Sequence, residues 1–150
     1  MKILIVEDDP DTAALIAEWV KRIAREIIVA RTMEECLAQI ERQTPKPQII
    51  ILDLKLPDST VMETLEKISS IRDKTPDSFI VILSGAVSRI DPISKRADGF
   101  IHKTDVRDAN GFCAKLCDIA HSIFGDGSTF ERNLCVLEDA AKRIRTALVK

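Results

Sequence analysis

The 150-residue sequence predicts an α/β fold: a doubly wound, five-stranded parallel sheet with helices on both faces, plus one extra helix at the C-terminal end. Short aliphatic runs recur along the chain without polar alternation, as strands covered on both faces require. Segments of helical period separate these runs, so strand and helix alternate, and right-handed crossovers then place the helices on both sides.

The elements follow in order. Ile3 to Val6 forms the first strand, and Leu15, Trp19, Val20 and Ile23 mark the inward stripe of the first helix. Ile27 to Ala30 is the second strand. Thr32 and Glu35 have capping-box spacing ahead of a second helix built on Cys36, Leu37 and Ile40, which the Pro45-Lys46-Pro47 stretch ends. Ile49 to Leu52 is the third strand, and Thr60 with Glu63 caps a third helix on Val61, Leu65 and Ile68. Ile80 to Leu83 is the fourth strand, and a weaker fifth lies at Phe100 and Ile101. A helix on Phe112, Leu116, Ile119, Ala120 and Ile123 completes the domain.

This length suits one well-buried core, and a net charge of −2 gives no global attraction to nucleic acid or membrane. No apolar run approaches a membrane span, and the start MKILIVEDD lacks the apolar core and cleavage site of a secretion signal, so a cytoplasmic protein is expected. Cys36, Cys113, Cys117 and Cys135 form no CxxC, and His102 and His121 do not complete a metal site with them. Reduced, semi-buried thiols are expected.

In open α/β sheets ligands bind beyond the carboxyl ends of the strands. Strand 1 there runs into Glu7 and Asp8, strand 3 into Asp53, strand 4 into Ser84 and Gly85, and strand 5 is followed by Lys103. Clustered carboxylates call for a hard cation, and oxygen ligands of this kind suit Mg²⁺. Asp53 can then accept a phosphoryl group as an aspartyl phosphate, while Lys103 and the Ser84 hydroxyl meet the charge on the transferring oxygens. Taken singly, each residue has a plainer reading, as a helix cap or a solvated charge. Their convergence on one edge of one sheet favours the chemical one.

ILIVEDDP, IIILDLKLPD, VILSG and GFIHK occur in that order, and with them residues 1–124 resemble the receiver domain of two-component response regulators, the CheY-like family. The resemblance implies a strand order of 2-1-3-4-5. It implies that Glu7 and Asp8 organise Mg²⁺ together with Asp53 and the backbone carbonyl of Lys55, and that Asp53 is the phosphoacceptor. Ser84 is then the hydroxyl that moves toward the phosphoryl group, Phe100 the aromatic that changes rotamer with it, and Lys103 the phosphate-binding lysine. Asp9 becomes the cap of the first helix, with Pro10 at its first position.

The implied activity is that of a stand-alone receiver. It takes a phosphoryl group from a histidine kinase or phosphotransfer protein and signals by contact with a downstream protein target, catalysing only its own phosphorylation and dephosphorylation. The alternative is an adaptor or dimerisation module with the same fold that works without phosphorylation. A haloacid-dehalogenase-like phosphatase would want a second acid two positions after its nucleophile, where this chain has Lys55.

Four departures from the family pattern stand out. Glu7 replaces the commoner aspartate. Thr104 follows Lys103 where the family usually has a cis-proline, so this peptide bond is expected to be trans. The stretch between Ser84 and Lys103 is about one helical turn short and contains Pro92, which predicts a short or irregular fourth helix and no dimer through that face. The Lys55 side chain lies next to the phosphorylation site, where it either shields the phosphoryl group or points to water.

Residues 125–150 form a short linker, GDGST, and a helix from about 129 to 149 with Ser128 and Glu131 at capping-box spacing. Leu134, Leu137, Ala141, Ile144 and Leu148 make one apolar stripe over two heptads. Packing back on the domain and a homodimer or partner contact through this helix both remain open. Lys142, Arg143, Arg145 and Lys150 are explained by the helix dipole, and no direct nucleic-acid binding or membrane contact is expected.

Overall fold

The computed structural model describes residues 1–86 and 96–124. The short helix expected near Pro92, Cys135 and the whole 125–150 segment lie outside the described residues, as does the side chain of Ile123. Five strands, β1 (Lys2–Val6), β2 (Glu26–Ala30), β3 (Ile49–Leu52), β4 (Phe79–Ser84) and β5 (Gly99–His102), form one parallel sheet in the order β2-β1-β3-β4-β5. The helices are α1 (Pro10–Val20), α2 (Met33–Arg42), α3 (Val61–Lys74) and α4 (Ala109–Phe124), and a 3-10 turn, Lys103–Asp105, links β5 to α4.

Because side chains alternate along a strand, the aliphatic runs feed two separate cores. Ile3, Ile5, Ile49, Ile51, Val81 and Leu83 face α1 and α4, where Ile16, Val20, Phe112 and Leu116 are buried. Leu4, Val6, Ile50, Leu52, Ile80 and Ile82 face α2 and α3, where Met33, Cys36, Ile40, Leu65, Ile68 and Ile71 are buried. Each such side chain contributes about 1.5–3 kcal/mol on leaving water, so neither face can be stripped of its helices.

The expected caps form. Asp9 caps α1, accepting from the Thr12 amide at 3.0 Å, with Pro10 as the first helical residue. Thr32 and Thr60 accept from the amides of Glu35 and Glu63 at 3.0 and 3.1 Å. Glu35 does not close the reciprocal bond to Thr32; its carboxylate accepts from the Arg31 amide instead, at 2.8 Å.

Three expectations need correction. The inward stripe of α1 is Ala13, Ile16 and Val20, while Leu15 is 49% exposed. The helix stops at Val20, so Ile23 reaches the core from the following turn and cannot set the helical register. β2 is an edge strand with Val29 exposed, not one covered on both faces. Cys36, Cys113 and Cys117 are buried thiols outside any disulfide, and burial pushes the Cys36 thiol up to about 12.

At the amino end of the sheet, Arg72 of α3 gathers the chain that leads into β5. Its guanidinium meets Asp98 at 2.7 Å and donates to the Ser78 and Arg96 carbonyls at 2.6 and 3.1 Å. Asp98 also accepts from the Ile80 amide at 2.7 Å, which fixes where β5 begins beside β4.

Candidate functional site at the carboxyl edge of the sheet

Register brings the strand ends together. Val6 pairs with Leu52, so Glu7 and Asp53 leave the sheet side by side, and the Asp53 amide still donates to the Val6 carbonyl at 3.0 Å. Leu52 pairs with Ile82 and Ser84 with His102, so Ser84 and Lys103 project from the same edge. The expected residues Glu7, Asp8, Asp53, Ser84 and Lys103 therefore share one site, most of it buried: Glu7 is 2% exposed, Asp53 4% and Ser84 0%.

Asp53 stands at the centre. Its Oδ1 accepts from the Ser84 hydroxyl at 2.9 Å and from the Lys55 amide at 3.3 Å. Its Oδ2 meets Lys103 Nζ at 3.1 Å, and the same ammonium reaches Glu7 Oε2 at 2.9 Å. The side chain of Lys55 is exposed, while its backbone lies against the central carboxylate. Phe100 is half-buried against the α2/α3 core.

The electrostatics follow from placing two buried acids and one half-buried cation together. Burial pushes the Glu7 carboxyl up to about 7; the hydrogen bond from Lys103 opposes the rise and the neighbouring Asp53 charge adds to it. Burial pulls the Lys103 ammonium down, but its contacts with Glu7 and Asp53 more than offset this and hold it above its usual value. Oxygens of Glu7, Asp8 and Asp53 lie within 4.8 Å of one another, with Asp8 on the solvent side. An all-oxygen, multiply charged donor set with one open side fits a hard divalent cation such as Mg²⁺.

Two features were not legible beforehand. Asp58, in the loop after Asp53, accepts from the Met33 and Glu34 amides at 2.9 and 3.0 Å and so caps α2 from 25 residues away. Burial works against it, yet these two donors hold its carboxyl below the usual range. Its signal in the sequence was only an acid after Pro57, which reads as an ordinary turn. The other is the turn after Lys103. The only cis peptide bond among the described residues is Thr44–Pro45, so Lys103–Thr104 is trans as expected, and His102 caps the 3-10 turn.

Comparison with known proteins agrees with this fold. The family model for the response regulator receiver domain matches residues 3–110. The chain is 32% identical over 80 residues to the regulatory protein LuxO of Vibrio cholerae and 23% identical over 103 residues to the transcriptional regulatory protein TrcR of Mycobacterium tuberculosis. Those alignments cover 53% and 69% of this chain but 16% and 39% of the relatives, so the chain spans only part of each relative's length. Among solved structures, a CheY-like receiver domain protein from Methanospirillum hungatei superposes with a TM-score of 0.66 at 26% identity, over 84% of this chain and 98% of that one. The response regulator TrrA from Thermotoga maritima, solved with Mg²⁺ and a beryllium fluoride, gives 0.63 at 28% identity, over 79% and 97%. With the strand order, the acidic edge and a matched family model in agreement, this chain belongs to the receiver-domain family of two-component response regulators.

Proposed function

We propose that the chain is a phosphoacceptor module in which Asp53 takes a phosphoryl group from a phosphohistidine on a histidine kinase or phosphotransfer protein. The observation that carries this reading is the pairing of Asp53 with both a hydroxyl donor, Ser84, and an ammonium, Lys103, inside a buried acidic cluster. An isolated buried carboxylate has no use for that surround; a carboxylate that becomes an acyl phosphate does.

Glu7, Asp8, Asp53 and the Lys55 carbonyl would hold Mg²⁺, which when bound neutralises charge on the phosphoryl oxygens. The chain's own residues do the rest. A carboxylate oxygen of Asp53 forms the new O–P bond as the P–N bond to the donor imidazole breaks, and the bonding pair stays on that nitrogen. Lys103 exchanges its contact with the Asp53 carboxylate for one with a phosphoryl oxygen, so its charge follows the charge being transferred. Ser84, already hydrogen-bonded to Asp53, would donate to another phosphoryl oxygen, and Phe100, the second residue of β5, would respond to that movement. Output is by contact with a downstream protein in the cytoplasm, with no chemistry beyond the module's own phosphorylation and dephosphorylation.

Incubation with acetyl phosphate and Mg²⁺, followed by intact mass, tests this directly. The expected result is one added phosphoryl mass on the natural sequence and none on Asp53→Asn. An unlabelled natural sequence, under conditions that label an ordinary receiver, would instead support the phosphorylation-independent adaptor, the reading that Thr104 in place of proline favours.

A further inference from the structure

The lysine of the site depends on a turn that, in this chain, has no proline to stiffen it. Lys103 is the first residue of the 3-10 turn Lys103–Asp105, and the backbone bond that closes it, from the Val106 amide to the Lys103 carbonyl, is long at 3.4 Å. A weakly closed turn gives Lys103 a poorly defined direction, yet its ammonium sits 2.9 Å from Glu7 and 3.1 Å from Asp53. Something else fixes the turn.

His102 is the residue in a position to do so. Its backbone is still in the sheet, paired with Ser84, and its side chain folds forward over the turn. Nδ1 accepts from the Thr104 amide at 3.3 Å and lies 2.7 Å from the Thr104 hydroxyl. The ring is held in turn by an edge-to-face contact with Phe100, centroids 6.3 Å apart at 73°. Lys103 is thus pinned on one side by the β4–β5 ladder and on the other by an imidazole acceptor.

We propose that His102 is a positioning residue for Lys103, its Nδ1 capping the turn through Thr104 and so aiming the ammonium at the phosphoryl-accepting carboxylate. Nδ1 can accept only when the ring proton is on Nε2, so the tautomer is part of the proposal. The role of Lys103 toward a phosphoryl oxygen is taken from the function proposed above. The His102–Thr104 cap itself does not depend on it.

The test has two arms. Nitrogen-15 NMR of the full chain at neutral pH should show His102 with a proton on Nε2 and a bare Nδ1, and Thr104→Val should move the Nδ1 resonance. A proton on Nδ1 overturns the proposal whatever the domain's function. In the second arm, His102→Phe, which keeps the ring against Phe100, and His102→Asn, which restores a capping oxygen, are titrated with Mg²⁺ alone and with beryllium fluoride plus Mg²⁺. The loss of one aiming hydrogen bond should weaken beryllium fluoride binding by roughly tenfold in His102→Phe, with Asn recovering most of it and Mg²⁺ affinity not weakened in either variant, since a misdirected Lys103 competes less for Glu7 and Asp53. Equal losses for both probes, or no recovery with Asn, would show a merely structural histidine and overturn the assignment. A natural sequence that binds Mg²⁺ but no beryllium fluoride would count against the phosphoacceptor reading, leaving the NMR arm to decide the cap.

Discussion

Glu7→Gln should make the metal-free protein more stable at pH 8. Glu7 is 2% exposed, and its carboxyl lies at about 7 in the folded chain against 4.5 for the ordinary group. Between those pH values the folded state keeps a proton that the unfolded chain has released, so stability falls as pH rises through this window, and the contribution of the protonated Glu7 is fully lost above 7. A difference of this size is worth about 3 kcal/mol, at 1.36 kcal/mol for each pH unit. Glutamine keeps the shape and never ionises, so it escapes that penalty; the hydrogen bond to Lys103 is weakened, but its contribution is already contained in the net value.

The measurement is thermal melting of both proteins in EDTA from pH 4.5 to 8. At pH 8 the Gln variant should melt higher by roughly 6–12 °C, given about 2–4 °C per kcal/mol for a chain of this size, and the gap should close toward pH 4.5. Mg²⁺ should narrow it from the other side: at a hundred times its dissociation constant the ion stabilises the natural sequence by about 2.7 kcal/mol and the variant, short of one carboxylate, by much less. Equal melting temperatures in EDTA at pH 8, or a gap that does not change with pH, would refute the view that Glu7 is a buried acid held for a cation.

Three further outcomes follow from the packing. Gly99→Ala would place a Cβ 2.4 Å from Ile119 Cγ2, so the Ile119 side chain or α4 itself must shift; urea unfolding should show a loss of about 1–3 kcal/mol, partly restored by Ile119→Ala in the same chain. Asp58→Ala leaves the Met33 and Glu34 amides without their acceptor and should cost about 1–2 kcal/mol, with faster hydrogen exchange confined to the first turn of α2; uniform loosening would contradict the cap. Arg72→Met strands Asp98 beside β4 and should destabilise by about 3 kcal/mol, much of it recovered by adding Asp98→Asn; additive losses in that double variant would show that the two side chains are not coupled.

Much of this was legible in one dimension. The aliphatic runs located all five strands, most securely β1, β3 and β4, because a strand buried on both faces cannot alternate, and Thr32, Thr60 and Asp9 marked helix starts because a cap is a local bond. The site residues were legible for a related reason: ligands collect at carboxyl strand ends, and each of those ends is defined by the run before it. The first helix shows the limit. Leu15 fits a helical period with Trp19 as well as Ile16 does with Val20, and only docking on β1 and α4 decides that Ile16 and Val20 are buried, Trp19 packs at their edge against Phe112, and Leu15 is left exposed.

By itself, then, the sequence determined the strands, most of the caps and the identity of the acids, hydroxyl and amine at the edge of the sheet, since these depend on composition and spacing within a few residues. The tertiary structure decided what those groups do to one another. Register sets Glu7 beside Asp53, the sheet's closure onto β5 brings Lys103 between them across 96 residues of chain, and burial of that trio raises the Glu7 carboxyl to about 7. The Asp58 cap and the His102 turn belong to the same class. Both are bonds made by side chains whose partners or directions are fixed only once the backbone is folded, and hydrogen-bond geometry is decided over fractions of an ångström that no spacing rule contains.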